Sequence, residues 1–187
     1  MNAPNPRWLR ALLVGGLLGG AGCAHQPPIP PVPQVDLSRF MGDWYVIAHI
    51  PSPIERRVFN AVESYALRDD GKVQTTFRYR NGAFDALLKT MRALGSVRPG
   101  SGNAVWGMQF VWPIQAEYVV VHLDADYSQA IIGRSKRDYA WIMARTPTLP
   151  AAEYDALVQR LRDLGYSLEH LRVVPQQWPE DAGARPE

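Results

Sequence analysis

The sequence predicts an all-β fold: eight antiparallel strands closed into an up-and-down barrel, with one C-terminal helix packed outside. Three observations lead there. From Gly42 to Arg145, short segments rich in Val, Ile, Tyr, Trp and Phe alternate with turn signals at nearly regular spacing. No helical pattern interrupts them, so the connections are short and successive strands run antiparallel. That many antiparallel strands in a row remove their exposed edges by closing on themselves.

The turns are Asp69-Asp70-Gly71, Asn81-Gly82, Pro99 to Asn103, Trp112-Pro113, Asp124-Ala125-Asp126 and Ser135 to Asp138. Between them the strands fall near 43–50, 59–68, 72–80, 86–98, 104–112, 116–124, 127–133 and 139–146. The connection from Pro51 to Arg57 differs: its two prolines exclude a two-residue hairpin, and it reads as a large loop at one barrel mouth. A helix follows, roughly Pro150 to Leu164. Thr148 offers a cap, Pro150 suits the first turn and Gly165 the left-handed position after the end. Tyr154, Leu157, Val158, Leu161 and Leu164 make a single apolar stripe, the pattern of a helix laid on an outer wall. Leu171 to Val174 offers a short ninth strand, and the tail from Pro179 to Glu187 reads as disordered.

Composition points to one globular domain, here residues 37–178, in a chain of 187 residues that is 47% hydrophobic and 20% charged. Residues 1–22 stand apart. They carry Arg7 and Arg10, no acid, and a short apolar run that ends just before Cys23, the arrangement of a secretory signal. As a helix, residues 11–22 would span about 18 Å, short of a ~30 Å hydrocarbon core. Without residues 1–22, two of the 20 Lys and Arg are gone and 18 face 18 Asp and Glu. That neutral balance gives no basic stripe for nucleic acid.

Cys23 is the sole cysteine, so an internal disulfide is excluded. Gly20-Ala21-Gly22-Cys23 resembles a bacterial lipobox, with Gly20 where such boxes usually carry Leu. The resemblance implies a Cys23 that becomes the acylated mature N-terminus; ordinary cleavage near Ala24, leaving a soluble periplasmic protein, is the alternative. Ala24 in place of aspartate implies the outer membrane, with the domain facing the periplasm. Residues 23–36 then form a linker. Its five prolines between Gln26 and Gln34 predict a semi-rigid polyproline II spacer.

Three separated motifs carry a wider resemblance. Gly42-Asp43-Trp44 with Tyr45, Leu123-Asp124-Ala125-Asp126-Tyr127, and Arg145 within Ile142 to Pro147 stand in the order and at the separations of the lipocalin family. Arg137-Asp138-Tyr139-Ala140-Trp141-Ile142 is similar to the family's bacterial and plant branch, and the chain as a whole resembles the bacterial outer-membrane lipoprotein type. The resemblance implies that Trp44 fills the closed end of the barrel with Arg145 lying across it, and that Gly42, Asp124 and Tyr127 are structural motif residues. It also implies a small hydrophobic ligand inside the barrel.

Which side chains would meet that ligand follows from the pleat, since neighbours along a strand face opposite sides. Trp106, Met108, Phe110 and Trp112 share one phase of the fifth strand; Tyr118, Val120 and His122 share one in the sixth; Tyr139, Trp141 and Met143 share the phase of Arg145. Trp106, Met108, Phe110, Tyr118, Val120, Tyr139 and Trp141 are therefore the candidate ligand-binding residues, suited to a lipid tail. Arg56, Arg57, Arg78, Arg80 and Arg98 are candidates for an anionic head group.

An enzyme would need a nucleophile beside a base. There is no Gly-x-Ser-x-Gly and no His-Glu-x-x-His, and the histidines are isolated. His122, Asp124 and Asp126 are the nearest thing to a metal set, but the motif accounts for Asp124 as a turn residue. The expectation is a carrier of fatty acids, lysophospholipids or similar molecules, with no catalytic residue, metal or cofactor. The alternative is an envelope interaction protein whose barrel is filled by its own side chains.

Overall fold

All eight expected strands are present in the computed structural model, which describes residues 27–53 and 55–180. They are β1 (Gly42–Ile50), β2 (Val58–Leu67), β3 (Val73–Asn81), β4 (Leu88–Val97), β5 (Val105–Val111), β6 (Ile114–Leu123), β7 (Gln129–Gly133) and β8 (Ala140–Ala144). Each pairs antiparallel with the next, and β1 pairs with both β8 and β2, so the sheet closes. The signal segment, Cys23 and the tail 181–187 lie outside the described residues.

The closure between β1 and β2 is made in two halves. Gly42 to Tyr45 pair directly with Tyr65 to Val62. Beyond Tyr45, β1 bulges between Val46 and Ala48 and leans toward β8, which leaves a gap that the chain's last segment fills. The expected ninth strand, β9 (Arg172–Val173), pairs with Ala48 and His49. Further on, Val174 N–H donates to the Ile47 carbonyl (2.9 Å) and Asn60 N–H donates to the Pro175 carbonyl (2.9 Å). The Asn60 amide then bonds the Gln177 backbone through both its oxygen and its nitrogen. Asn60 has φ +45°, in a β2 register shift that frees its side chain for this role.

A short helix α1 (Leu37–Phe40) precedes β1, capped by the Asp36 carboxylate on Ser38 N–H. Sequence periodicity could not reveal it, because four residues hold barely one turn. The C-terminal helix α2 (Ala151–Asp163) follows the expected stripe. Leu157 and Leu161 are buried against Ile131, Ile142 and Ala144 on the outside of the wall, flanked by Tyr154, Val158 and Leu164. Gly165 has φ +86° just past its end. The cap differs from expectation: Pro150 holds that position with no side-chain bond, while Thr148 uses its carbonyl to accept from Thr146. No helix among the described residues is long and apolar enough to cross a membrane.

The proline-rich stretch departs from the expected spacer. From Pro27 onward it is fastened to the barrel, because its non-proline residues have apolar sites to fill and donors to satisfy. Ile29 and Val35 are buried. Ile29 N–H reaches Ser135 Oγ (3.2 Å), Val32 N–H the Val120 carbonyl (2.9 Å) and Val35 N–H the Gly102 carbonyl (2.7 Å). Gly102, at φ +58°, lies so close that a Cβ there would stand 2.0 Å from the Pro33 carbonyl oxygen. The strap thus runs from the β7–β8 turn down to the β4–β5 turn.

Candidate ligand cavity

The closed end is built first by local sequence. Gly42 turns the chain into β1 with φ +94°, and a Cβ there would stand 3.4 Å from an Arg145 nitrogen. Two residues on, Trp44 points inward and donates from Nε1 to the Phe40 carbonyl (2.8 Å). The Arg145 guanidinium covers its ring at 3.9 Å. That guanidinium also donates to the carbonyls of Arg39, Phe40, Met41 and Asp43, which ties α1 to the floor. Tyr127, at φ +64° in the β6–β7 turn, accepts from Asp36 N–H and carries Arg39 over its ring. Asp124 anchors the same turn by accepting Tyr127 N–H at its carbonyl.

Above Trp44 sits a layer of aromatic rings. Phe40 meets Trp44, Tyr65 and Trp106 at centroid distances of 5.0, 5.4 and 5.6 Å. Tyr65 and Tyr118 join their hydroxyls at 2.7 Å across the barrel. Burial pushes both phenols well above their ordinary pKa, so both stay neutral.

Over this layer lies an apolar cavity of about 420 Å³. Five of the seven expected ligand residues line it: Met108, Phe110, Tyr118, Tyr139 and Trp141. Trp106 and Val120 do not; both are fully buried in the floor, one level too low, with Trp106 fixed by its Nε1 bond to the Asn103 carbonyl (2.6 Å). Trp112, in phase with them by simple alternation, is 82% exposed at the β5–β6 turn. A register shift between Met108 and Val111 breaks that alternation. Met143 joins the lining as its phase with Trp141 implied.

The sequence reading missed the opposite wall, where Tyr65, Phe77 and Met91 complete the cavity. Phe77 and Tyr79 were legible as an inward pair on β3, whereas β2 is thrown out of phase by its bulge. Also missed was Glu63 of β2, which lines the cavity with its Oε2 buried and without a hydrogen-bond partner. Burial, with the nearby Glu55 carboxylate adding, pushes the Glu63 carboxyl up to about 8; a hydrogen bond from Tyr65 offsets part of this.

The arginine candidates lie elsewhere. Arg78 pairs with Asp43 on the surface (3.3 Å), and Arg80, 2% exposed, is held by Glu180 at 2.9 Å and by the Ala86 carbonyl. Arg56 and Arg57 line a separate cleft with His49 and Arg172, while Arg98 serves the β4–β5 turn through its backbone. Arg134, not anticipated, is the cation that lines the cavity, bound to Asp138 (3.2 Å). His122 leaves the face of Tyr118 and Val120 because β6 bulges between Val120 and His122; it turns outward to Asp124 (2.9 Å). The described residues contain no cluster of three potential metal ligands.

Comparison with known proteins agrees with this geometry. A family model for the lipocalin-like domain matches residues 35–176. The chain is 33% identical over 167 residues to the outer membrane lipoprotein Blc of Citrobacter freundii, covering 86% of this chain and 90% of that one. It is 28% identical over 160 residues to the Blc of Vibrio cholerae serotype O1, with 83% and 92% covered. Apolipoprotein D of Macaca fascicularis is 29% identical over 191 residues, with 89% and 94% covered. Insecticyanin from the tobacco hornworm shares the fold at a TM-score of 0.64 and 16% identity, covering 86% of this chain and 89% of that one. Proteins of this family are in general carriers of small hydrophobic ligands. A family model spanning most of the chain, on a closed barrel with this floor, means that the chain belongs to the lipocalin family.

Proposed function

We propose that this protein is a carrier, not an enzyme, that stores or transfers a single-chain amphiphile of the fatty acid or lysophospholipid kind, tethered through an acylated Cys23 at the bacterial outer membrane and facing the periplasm. One observation carries the reading: an apolar cavity of about 420 Å³, sealed below by Trp44, Arg145 and the aromatic layer. The filled-barrel alternative requires that space between Tyr65, Met108 and Trp141 to be occupied by the protein itself, and it is open. The names of the Blc relatives support the outer membrane as the place.

Energetics shapes what carrying means. A sixteen-carbon tail gains on the order of 12 kcal/mol on leaving water at ~0.8 kcal/mol per methylene, but nearly as much on entering a membrane. Exchange is therefore reversible, and head-group contacts decide the balance. The direct test is titration of the domain with a fluorescent fatty acid and a fluorescent lysophospholipid. Retention at micromolar concentration with quenching of tryptophan emission is expected, since Trp141 lines the cavity; the absence of both retention and quenching sinks the proposal. Native mass spectrometry of protein taken from its own envelope reads the acyl mass on Cys23.

A further inference from the structure

We propose that Glu63 is the recognition point for the ligand's polar end, and that the cavity selects a long-chain molecule whose end group donates hydrogen bonds, an amine first and a hydroxyl second, over a carboxylate anion. The inference rests on the carrier reading and, among its single-chain amphiphiles, disfavours the ionised fatty acid.

Glu63 sits deep, opposite Trp44 of β1 and Phe77 of β3. Three carboxylates and one guanidinium face the void; Glu55 and Glu117 are engaged, whereas Glu63, apart from a hydrogen bond from Tyr65, keeps Oε2 without a partner, and Arg134 keeps its Nε without one. Glu55 accepts from Trp141 Nε1 (3.3 Å) and Ser52 N–H (3.1 Å). Glu117 accepts from the Ser135 N–H and hydroxyl (2.6 and 2.9 Å). Arg134 is paired with Asp138 and stacked over Tyr139. Only Glu63 presents a buried oxygen with nothing to receive. The residue keeps some accessible surface because it borders the cavity.

A buried carboxyl oxygen without a donor costs free energy, which the hydrogen bond from Tyr65 to the same carboxyl offsets only in part. A methyl group packed against it would keep that cost, and a carboxylate would add a like charge in a low dielectric once Glu63 is ionised, from about pH 8 upward. An ammonium or hydroxyl supplies the missing donor. The other ionisable groups facing the cavity are Glu55, Glu117, Arg134, Tyr65, Tyr118 and Tyr139. The two buried tyrosines remain neutral and Arg134 remains with Asp138, so Glu63 is the group whose charge changes near neutrality.

The test compares decylamine, decanol and decanoate by calorimetric titration of the full-length protein and its Glu63→Gln variant between pH 6 and 9. At pH 8 the wild type is expected to bind decylamine at least tenfold more tightly than decanoate. Decylamine affinity should rise about tenfold per pH unit as Glu63 gives up its proton, flatten above about 8, and release one proton to the buffer at pH 6.5. Glu63→Gln should lose that slope and at least tenfold in amine affinity while holding decanol within threefold, which reports an intact cavity. Decanoate binding as well as decylamine, or an amine slope that survives Glu63→Gln, overturns the inference and leaves the carrier standing. Failure of all three probes to bind overturns both.

Discussion

The indole of Trp106 stacks on the ring of Tyr118 with centroids 4.8 Å apart and planes 11° from parallel. This pair is the partition between floor and cavity: Tyr118 lines the void and Trp106 lies beneath it. Truncating the two aromatic residues of β5 should therefore have opposite effects. Trp106→Ala is expected to cost about 3–5 kcal/mol in denaturant unfolding, as removal of a fully buried ring does. Phe110→Ala, at a position 53% exposed on the rim, should leave stability within about 1 kcal/mol and weaken lipid-probe binding severalfold.

Arg145 joins two functions that lysine cannot combine, a flat face over Trp44 and a fork of donors for four carbonyls. Arg145→Lys should lose about 1–3 kcal/mol and Arg145→Ala more, with Trp44 emission shifting red as water reaches the floor. Unchanged unfolding midpoints in both variants would contradict the sealing role.

Stability should vary with pH through two buried groups of opposite sense. His49, held neutral by burial and by Arg172, titrates at about 4 instead of 6.5. The unfolded chain takes that proton first, so stability falls as pH drops from 6.5 to 4. Glu63 is raised from 4.5 to about 8; the unfolded chain loses its proton first, so stability falls as pH rises through that window and the loss is complete above 8. The slopes oppose one another between 4.5 and 6.5, which gives a plateau. Thermal melts of Glu63→Gln should remove the alkaline decline, worth on the order of 5 kcal/mol at pH 8.5. His49→Gln should flatten the acid side.

Asn60 closes the upper seam. Asn60→Ala forfeits its bonds to Gln177 and places a β-carbon residue without a compensating side chain at φ +45°. The expected loss is about 2 kcal/mol, with hydrogen exchange rising first in residues 172–177. Protection that persists there would mean that the seam is held by β9 alone.

Strand order and boundaries were legible because turns and alternation are local signals, and so was the inward trio Tyr139, Trp141 and Met143. Where reading failed, a bulge intervened. His122 and Glu63 belong to strands with a register shift and Trp112 follows one in the β5–β6 turn, and one extra residue reverses every later side chain. Trp106 and Val120 were placed on the correct face but at the wrong depth, since alternation gives side and not height. The docking of the proline-rich stretch depends on partners as distant in sequence as Ser135 is from Ile29, 106 residues, which no local pattern encodes.

The fastening of Pro27 and Ile29 beside Ser135 and Arg137 has a geometric consequence for the proposed tether at Cys23. The β7–β8 turn belongs to the same end of the barrel as the β1–β2 loop, whose Glu55 and Ser52 border the cavity. Three residues lie between Cys23 and Pro27, and the four residue steps give a leash of at most about 14 Å. The pivot is thus at the lip and not at the sealed base. If Cys23 is acylated as proposed, a short leash at the lip would keep the opening against the bilayer, and cargo would step between lipid and protein without crossing bulk water.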